Sequence, residues 1–124
     1  MPKILIDYLA VAGAGALGAM SRLAVARLFT WSTFPIGTLV INVTGSLFLG
    51  WFMAYIQPRV NFSDTVRLAI ATGFVGAYTT FSTFMYETDA KIQEKSFFIA
   101  ALYLCGSILL GLAAVRAGAL LAGK

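Results

Sequence analysis

Three groups of polar residues sit inside otherwise apolar stretches of this chain, and all three suit the binding of a small ion. Thr38, Asn42 and Ser46 recur every four residues, so on a helix they share one face. The Asn42 amide has two N–H donors and an acceptor, which are costly to leave unsatisfied in hydrocarbon. Tyr103, Ser107 and Gly111 repeat that spacing later in the chain. Between them runs Gly73-Phe74-Val75-Gly76-Ala77-Tyr78-Thr79-Thr80-Phe81-Ser82-Thr83-Phe84, which combines two glycines with four serine and threonine hydroxyls. Glycine and β-branched threonine hold a helix poorly, so a local break is expected here. Carbonyl oxygens freed at such a break are good ligands for a small hard cation. Phe81 and Phe84, three apart, fall on one side of the helix after the break. A ring edge is positive and can face an anion. A plainer use stands beside each of these: Asn42 as a helix-to-helix bond, the phenylalanines as packing, the glycines as close-packing seams.

The elements that must position these groups are membrane spans. About 20 mostly apolar residues cross a bilayer as helix, and four stretches qualify, at about 4–28, 37–56, 66–86 and 97–121. Non-helical backbone at bilayer depth survives only when buried in protein or lining a cavity. Pro35 suits the entry to the second span, and Ser63 or Asp64 suits an N-cap before the third. The stretch 87–95 holds three of the five acids and reads as a wet connector. No repeat appears, and residues 1–124 are expected to form a single transmembrane domain whose first span is not a cleavable signal. Lipid gives helices no hydrophobic reason to associate, so the small residues of each span are expected at the crossings: Gly13, Gly15, Ala16 and Gly18 in the first, Gly45, Ser46 and Gly50 in the second, Gly73 and Gly76 in the third, Gly106 and Gly111 in the fourth.

Composition agrees. The 124 residues are 60% hydrophobic and only 11% charged, too little charge to cover a soluble globule of this size. Histidine is absent, the one cysteine is Cys105, and no acid sits mid-span. That leaves no nucleophile–base pair, no carboxylate dyad and no thiolate metal site, so an enzyme is not expected. The bases are scattered singly, which argues against a nucleic-acid partner. Four crossings put Lys3, Arg59, Arg67, Arg116 and Lys124 on one side and Arg22, Arg27, Lys91 and Lys95 on the other. Orientation follows Lys and Arg bias, and five against four is almost none. The count admits insertion both ways up, and with it an antiparallel dimer. Arg22 reads as an anchor, a positive group in a vestibule or a partner for Glu87.

Three segments carry a resemblance to a known family: Gly15-Ala16-Leu17-Gly18-Ala19-Met20-Ser21-Arg22, Gly37-Thr38-Leu39-Val40-Ile41-Asn42-Val43-Thr44-Gly45, and the run from Gly73 to Phe84 followed by Glu87. In these, and in span number and order, the chain resembles the Fluc (CrcB) fluoride channels of bacteria. One departure is Ala77, where members often carry a second glycine after Gly76. The resemblance implies an all-α protein of the bacterial inner membrane, with its third helix broken mid-membrane, assembled as a dual-topology antiparallel homodimer with two pores. It implies that Phe81 and Phe84 offer ring edges to fluoride, that Asn42 donates its amide hydrogens, and that Ser82, Thr83, Tyr103 and Ser107 form a polar track. The backbone carbonyls of Gly76 and Thr79 from both subunits would hold one structural Na+ at the dimer centre. The implied activity is passive, electrodiffusive export of fluoride, with chloride excluded by a narrow path of weak sites.

Two other classes fit the span count. A small proton-coupled multidrug exporter needs a carboxylate deep in its first span, where this chain has only Asp7 near the edge. A non-conducting accessory subunit accounts for the glycines but not for the amide, hydroxyl and phenylalanine pattern.

Overall fold

The computed structural model describes residues 1–30 and 33–123; Trp31, Ser32 and Lys124 lie outside it, and with Lys124 one cation of the charge count above. Helix α1 is Lys3–Leu28, α2 is Ile36–Arg59, α3 covers residues 64–78, α4 is Ser82–Gln93 and α5 is Phe97–Leu121. With α3 and α4 taken together as Asp64–Gln93, four helices among the described residues are long and apolar enough to cross a membrane. The protein is thus an all-helical, multi-pass membrane protein.

The first and last spans end where hydropathy changes. The second runs three residues past its expected end because Phe52–Ile56 widens into a π-helical turn. That turn ends two residues before Pro58, which has no N–H to donate along a regular α-helix. A second π-helical stretch, Leu68–Val75, occupies most of α3. Ser63 caps α3, its hydroxyl accepting the Val66 N–H at 3.3 Å; Asp64 is the first helical residue rather than the cap. The wet connector expected at 87–95 is mostly helix. Residues 87–93 continue α4, and the chain reverses at Lys95, whose φ of 60° lets the Ser96 N–H reach the Lys91 carbonyl at 2.8 Å. Charged residues there pointed to water, but helical winding satisfies the backbone equally well outside the apolar zone.

Two helix pairs build the molecule, α1 on α3 and α2 on α5, with α4 laid against α5. Each pair closes on glycine. A Cβ on Gly50 would overlap the Val115 carbonyl, and one on Gly118 the Leu47 carbonyl. A Cβ on Gly18 would overlap the Phe74 carbonyl, and one on Gly73 would stand 2.9 Å from that of Val11. Backbone meets backbone at these crossings, as dispersion-driven packing in lipid requires. Of the other glycines, Gly45 holds the Thr79 methyl, whereas Gly13, Gly106 and Gly111 meet nothing within 4 Å and are not seams in the protomer. Ile41, Phe52, Val75, Phe84 and Tyr103 fill the interior.

Candidate functional site

Between α3 and α4, residues 79–81 are not helical, and Thr79 is extended with ψ of 159°. What holds this conformation is a set of diverted hydrogen bonds. In an α-helix each N–H donates to the carbonyl four residues back. The Thr80 N–H instead donates to Asn42 Oδ1 at 2.8 Å, and the Asn42 amide returns an N–H to the Thr80 carbonyl at 3.0 Å. The Thr83 N–H turns to Thr80 Oγ1 at 3.2 Å, which satisfies one donor of the first turn of α4. Arg22 Nε donates to the Ala77 carbonyl at 3.1 Å, so a guanidinium closes the end of α3. The carbonyls deprived of their helical donors by the Thr80 and Thr83 diversions are those of Gly76 and Thr79. Among the described residues no three His, Cys, Asp or Glu side chains come together to hold a metal. Gly76 and Thr79 are also the residues whose carbonyls the family resemblance implies for a cation.

Directly against this segment lies a cavity of about 260 Å³ whose lining includes Asn42, Ser46, Thr79, Thr80, Phe81 and Phe84. The structure thus joins the polar face of α2 to the phenylalanines of the third span. Phe84 is 7% exposed and Phe81 is 75% exposed, their rings edge-to-face with centroids 6.4 Å apart. The edge-to-face series continues inward: Phe84 meets Tyr103 at 5.0 Å, and Tyr103 meets Phe34 at 5.5 Å. Tyr103 is fully buried; its hydroxyl donates to Glu87 Oε1 at 2.9 Å and is also hydrogen-bonded with Thr38. One helical turn along α5, the Ser107 hydroxyl is buried without a partner. An orphaned O–H in a membrane interior is an open donor.

Not every expected group converges. Ser82 is exposed and, like Thr83, Tyr103 and Ser107, is absent from the cavity lining. Asn42 spends one donor and its acceptor on Thr80, so the helix-to-helix bond is real and one amide hydrogen remains. Arg22 and Glu87 do not pair: each finds a neutral partner nearer its own helix, the Ala77 carbonyl and the Tyr103 hydroxyl. Thr80 and Phe34 were not marked as site residues. Thr80 lay in plain view among four hydroxyl residues, with nothing to distinguish it; no pattern pointed to Phe34.

A multi-pass helical protein with an amide, hydroxyls and ring edges gathered at a helix interruption belongs to the class of small ion-handling membrane proteins. The chain is a member of the CrcB family: residues 9–119 match the family described as CrcB-like protein, Camphor Resistance (CrcB). A protein of Solibacter usitatus named fluoride-specific ion channel FluC is 42% identical over 122 residues, which cover 96% of this chain and all of that one. Another of the same name, from Acidobacterium capsulatum, is 46% identical over 118 residues, 91% of this chain and 93% of that one.

Proposed function

We propose that this protein is a fluoride-selective channel of the bacterial inner membrane, working as an antiparallel, dual-topology homodimer with two pores. It exports fluoride passively and is not an enzyme. The observation that carries the reading is the cavity at residues 79–81, which is lined both by Asn42, with an amide hydrogen to spare, and by the exposed Phe81. The naming of close relatives as fluoride-specific channels supports it.

Fluoride holds water strongly, so entry demands donors that replace the lost hydration. A fixed cation would bind it too tightly to let it go, and conduction needs several weak sites. The amide of Asn42, the ring edges of Phe81 and Phe84, and the orphaned Ser107 hydroxyl are weak donors of that kind. Ser82, Thr83 and Tyr103 complete the polar track. Half of such a path is missing from one protomer: a 75% exposed Phe81 beside a polar cavity calls for a facing surface. A second copy inverted about an axis in the membrane plane supplies it, which the near-even distribution of Lys and Arg allows. In that arrangement residues 79–81 lie mid-bilayer, and the Gly76 and Thr79 carbonyls of both copies ring one structural Na+. The diverted Thr80 and Thr83 N–H groups fit that role, since they leave these two oxygens without helical partners. When bound, sodium would supply positive charge to these carbonyl oxygens, which lack hydrogen-bond donors in lipid.

A proton-coupled exporter is disfavoured by Asp7. It sits one turn into α1, bonded to Lys3 at 2.9 Å and to the Thr65 hydroxyl, and is in no position to trade protons for a cationic drug.

Purified protein in liposomes loaded with potassium fluoride should release fluoride only when a potassium ionophore carries the compensating charge. Liposomes loaded with potassium chloride should stay full. Release that depends on a proton gradient, or proceeds equally with chloride, contradicts the assignment.

A further inference from the structure

A larger cavity lies outside the site above. A groove of about 540 Å³ opens between the second half of α2 and the end of α5, walled by Met53, Ala54 and Pro58 on one side and Val115, Arg116 and Ala119 on the other. Leu49 forms the partition between this groove and the polar cavity at residues 79–81. Apart from Arg116 the lining is apolar. Arg116 is exposed and, among the described residues, has no hydrogen bond or ion pair.

The depth of the groove is marked independently. Trp51 stacks on Tyr55 with centroids 5.8 Å apart, and the Arg59 guanidinium lies 4.1 Å over the Tyr55 ring. Tryptophan, tyrosine and arginine gather where acyl chains give way to headgroups. The groove residues of α2 interleave with this stack along the helix. Gly50 packs on the Val115 carbonyl, which sets Arg116 level with it. Arg116 lies five residues before the end of α5, so an unpaired guanidinium stands at the mouth of an apolar furrow, within snorkelling reach of the headgroups.

From this geometry we infer that the groove is a binding site for one anionic phospholipid, an acyl chain lying along Met53, Ala54 and Ala119 and the headgroup phosphate paired with Arg116. A phosphate accepts two parallel N–H bonds from guanidinium, so charge and shape both match. A second copy of the chain is the poorer occupant, because it would have to bring a counter-charge to Arg116 or leave it buried without one. A small hydrated anion is poorer still, since the walls offer it no second donor. The inference does not rest on what ion the protein conducts.

The test is thermal unfolding of the delipidated protein in neutral detergent, titrated with phosphatidylglycerol or with phosphatidylcholine of identical chains. Phosphatidylglycerol should raise the midpoint by several degrees more than phosphatidylcholine, by mass action on the folded state. Arg116→Gln should abolish that difference and Arg116→Lys should keep part of it. Met53→Trp, which fills the groove and leaves the charge, should also abolish it. Arg27→Gln, a cation at the far end of α1, should not. Arg116→Gln protein should still conduct in phosphatidylcholine vesicles at the wild-type rate. Equal protection by the two lipids, full protection of Arg116→Gln, or the same protection from inorganic phosphate alone would overturn the site. So would loss of flux or of dimer in Arg116→Gln, which would assign Arg116 to the pore or to a protein interface.

Discussion

Asn42 on α2 and Thr80, between α3 and α4, exchange two hydrogen bonds, amide to carbonyl at 3.0 Å and backbone N–H to amide oxygen at 2.8 Å. One side chain thereby substitutes for the helical bonds that Thr80 gives up, and the same side chain lines the cavity beside Phe81. In the proposed channel, support of the interrupted backbone and presentation of a donor to the ion would fall to the same residue.

Replacement of Asn42 separates these effects only in part. Asn42→Asp keeps an acceptor for the Thr80 N–H but sets a carboxylate oxygen against the Thr80 carbonyl. We expect a loss of about 1–3 kcal/mol of stability, the range for an unsatisfied or mismatched buried polar group. Fluoride flux should fall at least tenfold while the dimer persists on size exclusion. Denaturant unfolding and liposome flux on the same preparation check both.

The two phenylalanines should divide cleanly. Phe81 is exposed in the protomer, so Phe81→Ile should change protomer stability by no more than about 0.5 kcal/mol, as surface replacements do. Its effect should fall on flux, which is expected to drop steeply. Phe84 is packed between Phe81 and Tyr103, and Phe84→Ala should cost about 3 kcal/mol through the cavity it leaves. If Phe81→Ile conducts as the wild type does, the ring-edge role assigned to it is wrong.

Glycine replacements should sort by position. Gly50→Val and Gly18→Val place side chains on the Val115 and Phe74 carbonyls, where only a backbone shift makes room. These variants should fail to fold or should lose about 3 kcal/mol or more, beyond the usual overpacking cost because backbone cannot yield as a side chain does. Gly13→Ala and Gly111→Ala meet open space and should gain about 0.5–1 kcal/mol from helix propensity if no partner protomer packs there. Unfolding midpoints of the four variants check the contrast. A loss at Gly111→Ala would mark α5 as an interface helix.

Sodium should matter for stability as well as for flux. Exchange of Na+ for an organic cation too large for the Gly76 and Thr79 carbonyls should lower the unfolding midpoint and the fluoride flux together. Asn42→Ala, which returns the Thr80 N–H to Gly76, should weaken the sodium dependence. Unfolding midpoints identical in the two salts would remove the ion from the account.

The spans were legible because twenty apolar residues in a row have few other uses, and Asn42, Phe81 and Phe84 stood out as polar or aromatic groups on helical faces. What stayed hidden depends on contacts between helices. No spacing rule joins Asn42 to Thr80, thirty-eight positions away, or Arg22 to the Ala77 carbonyl, fifty-five away. Of the three readings open for Arg22, the pair with Glu87 reasoned from charge alone, whereas in the fold Arg22 meets a carbonyl and Glu87 a phenol. The π-helical turns left no mark because winding responds to Pro58 and to packing rather than to composition. The helical extension through Gln93 was misjudged for a related reason: charge density shows where water is, not whether the backbone is coiled.

The most direct test of the central claim is the reversal potential of the purified protein in a planar bilayer, with sodium fluoride on one side and an equal concentration of sodium chloride on the other. A fluoride-selective pore predicts a large potential of the sign that opposes fluoride movement down its gradient. It also predicts that Phe81→Ile lowers the current steeply and leaves the sign of the reversal potential unchanged. A reversal potential at zero, showing chloride to be as permeant as fluoride, would contradict it.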